Sequence, residues 1–280
     1  MESTESRSLA PQTMTRDGSE GGPHPGVVDR SNPYRAWFAA LTAAVASGLV
    51  SWGIGELARE AFPPELVRVE VMHSTFLEAT DLTKNAADRK NAALVFAILG
   101  GVTGLAMGLA GGFIGRSVSR GVVVGLGAQA IGFLAGGAVS LALIPLLHRR
   151  LVPDTNDLLS PILVHGGVWM AIGAVGGAAL AIGMRCWRGL ARALVGGCTG
   201  GLAASVAFHL FSAGLFPEVE STEPITPTPH LRLLAMLCVT VMVAIGAIRG
   251  SLGRATARNA GYPAADLRQP SSPACAPTES

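Results

Sequence analysis

Two histidines are the residues of this chain with the clearest potential for chemistry. His165 follows Asp157 by eight residues and His209 precedes Pro217 by eight residues, each inside a long apolar stretch. If the two stretches are adjacent antiparallel helices, the imidazoles can form a hydrogen-bonded pair, a proton-responsive site or half of a metal site. The alternative is two separate, structurally satisfied histidines. Because no carboxylate or thiol supports the pair, the sequence predicts no bound metal or cofactor.

Four arginines form a second polar pattern. Arg116 and Arg120 are four residues apart, as are Arg188 and Arg192, so each pair faces one way if it is helical. Repeated guanidinium pairs can bind lipid phosphates or another anionic ligand. The alternative is that they only fix the orientation of the protein in the membrane.

Gln129 is the only side-chain amide well inside an apolar stretch. We expect it to hydrogen-bond a neighbouring helix, the alternative being a role in selectivity. No Asp, Glu, Lys or Arg lies in the middle of these stretches. Since ion-coupled carriers commonly use such groups as relays, secondary active transport is disfavoured.

Glycines recur at a spacing of four residues, which places them on one slowly turning face of a helix. Such faces allow helix backbones to approach closely in lipid, where van der Waals contact drives association. Packing within one chain is one interpretation, and self-association or a narrow pore lined by backbone is the other. The candidate packing positions are Gly100, Gly104, Gly108, Gly112, Gly132, Gly136, Gly196 and Gly200.

Long uncharged stretches must position all of these residues. About 20 apolar residues in a helix cross a hydrocarbon core about 30 Å thick. A sixth, shorter stretch at 233–248 is flanked by Arg232 and Arg249, whose charged heads can extend toward the two interfaces. The sequence therefore predicts an all-α membrane protein with six spans. The five longer stretches are 36–55, 91–115, 121–148, 158–184 and 193–217.

An internal repeat relates four of the spans. A shift of 72 residues lays 101–145 on 173–217 without a gap, which matches Arg116 with Arg188, Arg120 with Arg192, and Pro145 with Pro217. These residue types are rare in apolar stretches. We therefore predict two duplicated helical hairpins, related by an axis along the membrane normal.

The charge distribution predicts the orientation. With both termini inside, 13 of the 21 lysines and arginines lie on the inner side and 8 on the outer side. This excess predicts cytoplasmic termini in the cytoplasmic membrane. The resulting division is a disordered leader at 1–34, a first span at 35–58, an outer loop at 59–90, the duplicated hairpins at 91–217, an acidic Pro-rich outer loop at 218–230, a last span at 231–250, and a disordered tail at 251–280.

The outer loop carries a further expectation. Apolar residues between Pro63 and Lys90 recur at steps of three and four, which predicts an amphipathic outer helix. Such a helix either rests on its own bundle or the lipid interface, or it offers a docking face to a partner.

Two classes of function remain. Catalytic motifs are missing, so we expect no enzyme, and the basic residues form no continuous patch for nucleic acid. The first class is a membrane scaffold or assembly factor, with the lipid bilayer and a membrane protein or a second copy as partners. The second is a passive channel or transporter for a small solute or ion, with a path between the repeats. A hydrated path through Gln129, His165 and His209 would favour transport, and a dry centre would favour the scaffold.

Overall fold

The computed structural model describes residues 33–71, 74–150, 159–215, 225–226 and 228–252. Six helices in this part of the chain are long and apolar enough to cross a membrane, as the sequence predicts. The predictions of a disordered leader and tail fall on residues outside the described part, except where helices extend into them. The helices are α1 (Pro33–Ala58), α2 (Asp81–Ile114), α3 (Val118–Arg150), α4 (Leu159–Gly183), α5 (Leu190–Leu215) and α6 (Pro229–Leu252).

The loop between α1 and α2 corrects one sequence expectation. Most of the predicted amphipathic helix is an antiparallel β-hairpin of β1 (Val67–Val71) and β2 (Ser74–Glu78). The reason lies in the sequence of β1, because valines alternate with Arg68 and Glu70 at the two-residue period of a strand, and β-branched side chains favour strands. We call the end of the bundle that carries this hairpin the outer end, and the opposite end the inner end.

Helix α2 continues beyond the hydrophobic span toward the hairpin. Its N-cap is Thr80, whose hydroxyl accepts a hydrogen bond from the backbone N–H of Thr83. A helix of 34 residues is about 50 Å long, against about 30 Å of hydrocarbon. The amide of Asn91 holds both backbone groups of Phe62, at 2.9 and 3.0 Å, and so fixes the chain leaving α1 against α2.

The glycines of α2 pack against α3. A Cβ added at Gly108 would lie 2.5 Å from the Cα of Gly125, and one added at Gly100 would collide with the carbonyl of Gly132. Gly104 and Gly112 face Ala128 and Gly121 in the same way. These two helices therefore touch backbone to backbone along their length, which only glycine and alanine allow.

The glycines of α5 serve two different neighbours. Gly197 and Gly201 meet α4 at Gly173 and Trp169, whereas Gly196 and Gly200 meet α6. The four-residue spacing thus predicts the two stripes of α5 but not the helix that each one contacts.

The hairpins α2–α3 and α4–α5 have corresponding turns. Ser117 donates its backbone N–H to the carbonyl of Gly112, and Cys186 donates to Ala181 in the same pattern. The residues before them, Arg116 and Arg185, both have positive φ, at 54° and 57°. These turn positions are 69 residues apart, three fewer than the sequence shift. A short 3-10 turn, Trp187–Gly189, precedes α5 and accounts for the extra three residues.

Two clusters of buried side chains fill the bundle. The outer cluster is built from large side chains, among them Phe96, Trp169, Ile172 and Phe208. The inner cluster is rich in alanine and includes Ala40, Ala44, Met107 and Leu180. Helices α2 and α4 pack on each other at the centre, while α1 packs on α2 and α6, and α6 also packs on α5 and α4.

Candidate functional site

The two histidines lie next to each other near the outer end of the bundle. The centroids of their imidazole rings are 5.4 Å apart, His165 on α4 and His209 on α5. Both are buried, with 4% and 6% of their surface exposed. Adjacent antiparallel helices bring the rings together because close glycine contacts, such as that of Gly201 with the backbone of Trp169, keep α4 and α5 in tight register.

Aromatic side chains surround the pair. The His165 ring lies 5.6 Å from Trp169, 6.2 Å from Phe96 and 6.5 Å from Phe208, measured between centroids. Phe208 also meets the ring of His209 edge to face at 5.3 Å. The imidazoles are therefore held in an apolar setting, in which polar interactions are stronger than in water.

His209 carries unused hydrogen-bonding capacity. Neither of its ring nitrogens makes a well-formed hydrogen bond within the described part of the chain, and neither does the indole N–H of Trp169. The nearest backbone acceptor that faces His209 is at Pro161. Buried polar groups are nearly always hydrogen-bonded, so a buried imidazole of this kind calls for a partner.

A small cavity adjoins His165. Its volume is about 30 Å³, enough for one water-sized species. Phe96, Trp169 and Phe208 form part of its wall, and Met236 and Arg232 of α6 complete it.

Arg232 forms a buried ion pair with Glu56. Its Nε and Nη2 donate to the two carboxylate oxygens at 2.6 and 2.8 Å, and Nη1 donates to the carbonyl of Thr226 at 2.7 Å. The side chain of Arg232 is 8% exposed and that of Glu56 is 27% exposed. The expectation that Arg232 extends to the membrane interface is therefore wrong, because a carboxylate on α1 satisfies the guanidinium inside the bundle.

A larger cavity opens above this ion pair. It has a volume of about 630 Å³, and its wall includes Arg59, Phe62, Lys84 and Asn91. Ile225, Thr226 and Arg232 line both this cavity and the small one. The ion pair thus lies at the partition between the outer cavity and the histidines.

Gln129 lies apart from the histidines. It is half-buried on α3, and a Cβ added at Gly101 would lie 3.3 Å from its backbone carbonyl. It lines neither the small nor the large cavity. The structure therefore brings His165 and His209 together but leaves Gln129 at the α2–α3 contact.

The arginines of the inner end occupy unequal positions. Arg116 is exposed in the first turn, Arg120 is half-buried one helical turn later, and Arg188 is exposed in the 3-10 turn. Arg192 donates to the backbone carbonyl of Arg188 at 3.3 Å. Arg185, rather than Arg188, takes the position that corresponds to Arg116. Within the described ranges, every Asp and Glu lies toward the outer end.

Sequence reasoning missed several groups of this site. Phe96, Trp169, Phe208 and Met236 are ordinary apolar residues of their spans, and no local pattern marks them as neighbours of a histidine. Glu56 and Arg232 are 176 positions apart. The available signal was their charge alone, since each interrupts the end of an apolar stretch.

Six apolar helices and the cluster between them define a polytopic helical membrane protein in contact with the lipid bilayer. No family of known proteins, no curated protein and no solved structure matches this chain.

Proposed function

We propose that this protein is a non-enzymatic scaffold or assembly factor of the cytoplasmic membrane, with both termini on the cytoplasmic side. The β-hairpin carries the proposal. Its apolar residues Leu66, Val67, Phe76 and Leu77 are all more than 40% exposed, and no helix in the described part packs extensively on its strands. An exposed apolar hairpin on a rigid base suits the binding of a second protein.

The dense packing of the bundle supports the same proposal. Backbone contacts between glycines of neighbouring helices leave no space for a solute between α2 and α3. Gln129 adds no polar lining, since it faces neither cavity. A rigid base of this kind holds a docking element at a fixed height above the membrane.

The proposal includes an internal duplication of the α2–α3 and α4–α5 hairpins. Matching hydrogen bonds at the two turns support it. The three-residue difference from the shift of 72 fits a short insertion at the 3-10 turn.

Site-specific cross-linking tests the scaffold. A photoreactive residue at Phe76 in the native membrane should give one discrete protein adduct. The matched control is the same residue at Leu126, which is 56% exposed on α3 and faces lipid. No adduct from Phe76, or the same adducts from both positions, would contradict the proposal.

A passive channel is the second candidate. The observation that favours it is the outer cavity, which reaches the wall of the small cavity beside His165 through three shared residues. A channel of this kind would need the partition at Arg232 to open, and a flux measurement distinguishes it from the scaffold.

A further inference from the structure

Three side chains with soft or borderline ligand atoms converge at the small cavity. His165 and Met236 both line it, and the ring of His209 lies beside that of His165. Met236 is buried, with 6% of its surface exposed. Imidazole nitrogen and thioether sulfur together are the ligands that select Cu(I) among the common metal ions.

The spacing of the imidazoles fits a shared ion. A metal bound by two imidazole nitrogens at about 2.0 Å each holds the two ring centroids about 5 to 6 Å apart. The observed separation is 5.4 Å. His209 also has both ring nitrogens buried without a well-formed hydrogen bond, so an ion would supply the partner that this imidazole lacks.

The charge of the surroundings favours a monovalent ion. The only charged side chain in the wall of the small cavity is Arg232, and the carboxylate of Glu56 compensates its charge. Neutral imidazole and thioether ligands leave the charge of the ion uncancelled, and a single charge costs far less in an apolar medium than a double one. The faces of Trp169 and Phe208 contribute cation–π attraction at close range.

We propose that His165, His209 and Met236 bind one Cu(I) ion. The cavity of about 30 Å³ accommodates a single bare ion and excludes a hydrated one. Within the described residues no group of three His, Cys, Asp or Glu could hold a metal, and this site differs because its third ligand is a methionine. The inference is independent of the scaffold, and it revises the sequence expectation that no metal is bound.

Anaerobic titration of the purified full-length protein with Cu(I) against a chromogenic Cu(I) chelator tests the site. Thiols also bind Cu(I), so the parent protein should carry alanine in place of its cysteines. We expect one equivalent of Cu(I) per chain, and an X-ray absorption spectrum with two nitrogen neighbours and one sulfur neighbour. The replaced residues are Cys186, Cys198, Cys238 and Cys275.

Single variants assign the ligands. His165→Phe, His209→Phe and Met236→Leu should each weaken Cu(I) binding by about tenfold or more. Matched controls are His230→Phe at the exposed start of α6 and Met242→Leu farther along the same helix, which should bind as the parent does. Melting temperatures without Cu(I) identify any variant that fails to fold.

Two results would overturn the proposal. One is a parent protein that binds no Cu(I), or that binds it with no sulfur neighbour in the absorption spectrum. The other is a folded Met236→Leu or His209→Phe variant with the affinity of the parent. The spectrum of the parent needs no substitution in the site, so the test stands even if a histidine variant does not fold.

Discussion

The inner and outer halves of the bundle are packed in different ways. Toward the middle and the inner end, glycine and alanine let backbones touch, as Gly108 and Gly125 do. Toward the outer end, large side chains such as Trp169 and Phe208 separate the helices and fill the space between them. The cavities, the buried ion pair and the histidines all lie in the outer half, because only there are helices far enough apart to admit polar side chains.

The same difference separates what is rigid from what can change. Backbone contacts have no rotamers to adjust, so the inner half can respond to an added side chain only by moving whole helices. The outer half contains side-chain contacts and two cavities, so a substitution there can be accommodated locally. We therefore expect effects on stability to decrease from the inner half to the hairpin.

The largest effect is expected for Gly108→Leu. Its side chain would enter the backbone of Gly125 on α3, so α2 and α3 must separate. We expect a loss of about 3 kcal/mol or more, measured as the free energy of unfolding in detergent. Gly127→Leu is the matched control, because a Cβ at Gly127 meets nothing within 4 Å. Equal stability of the two variants would contradict the packing described above.

The second largest effect is expected for Glu56→Gln. The substitution leaves the buried guanidinium of Arg232 without its counter-charge, and partial exposure of Glu56 moderates the cost to about 2 to 3 kcal/mol. Adding Arg232→Met to Glu56→Gln should restore part of this stability, since it removes the uncompensated charge. Thermal unfolding of both variants checks this, and a double variant less stable than Glu56→Gln would argue against a charge effect.

His209→Phe should change stability by no more than about 1 kcal/mol in the absence of metal. The imidazole makes no well-formed hydrogen bond in the described part of the chain, so its replacement by an aromatic ring of similar shape removes little. Comparison with Ser205→Ala provides the contrast, because the hydroxyl of Ser205 donates to the carbonyl of Ile162 at 2.9 Å. A large loss at His209 would mean that the imidazole holds α4 and α5 together.

The smallest effect on stability is expected for removal of the hairpin. Replacing 67–78 by a short Gly-Ser linker should leave the melting temperature of the bundle nearly unchanged, because no helix in the described part packs extensively on β1 or β2. The same deletion should abolish the cross-linked adduct expected at the outer end. A bundle that melts at a much lower temperature after this deletion would show that the hairpin supports the fold.

The six spans were accessible from the sequence because length and hydropathy alone determine them. The depth of His165 and His209 was accessible too, since each lies eight residues inside the end of its stretch. The hairpin was not recognised, because steps of three and four over 63–90 obscured the strict alternation of Val67, Val69 and Val71 with polar residues.

Contacts between distant segments account for the rest. The pairing of Glu56 with Arg232, and the meeting of Met236 with His165, depend on how α6 packs against α1 and α4. Neither the period nor the composition of a single span contains that information. The choice of helix that each glycine stripe contacts has the same origin.

Flux across liposomes tests the central claim, that the bundle is closed and serves as a base for the outer hairpin. Purified protein would be reconstituted in a known orientation, and the uptake of small ions and neutral solutes compared with empty liposomes and with Gly108→Leu. The account predicts that folded wild-type protein adds no flux. Wild-type flux above that of empty liposomes, lost in Gly108→Leu but kept in Gly127→Leu, would contradict it and establish a path between the hairpins.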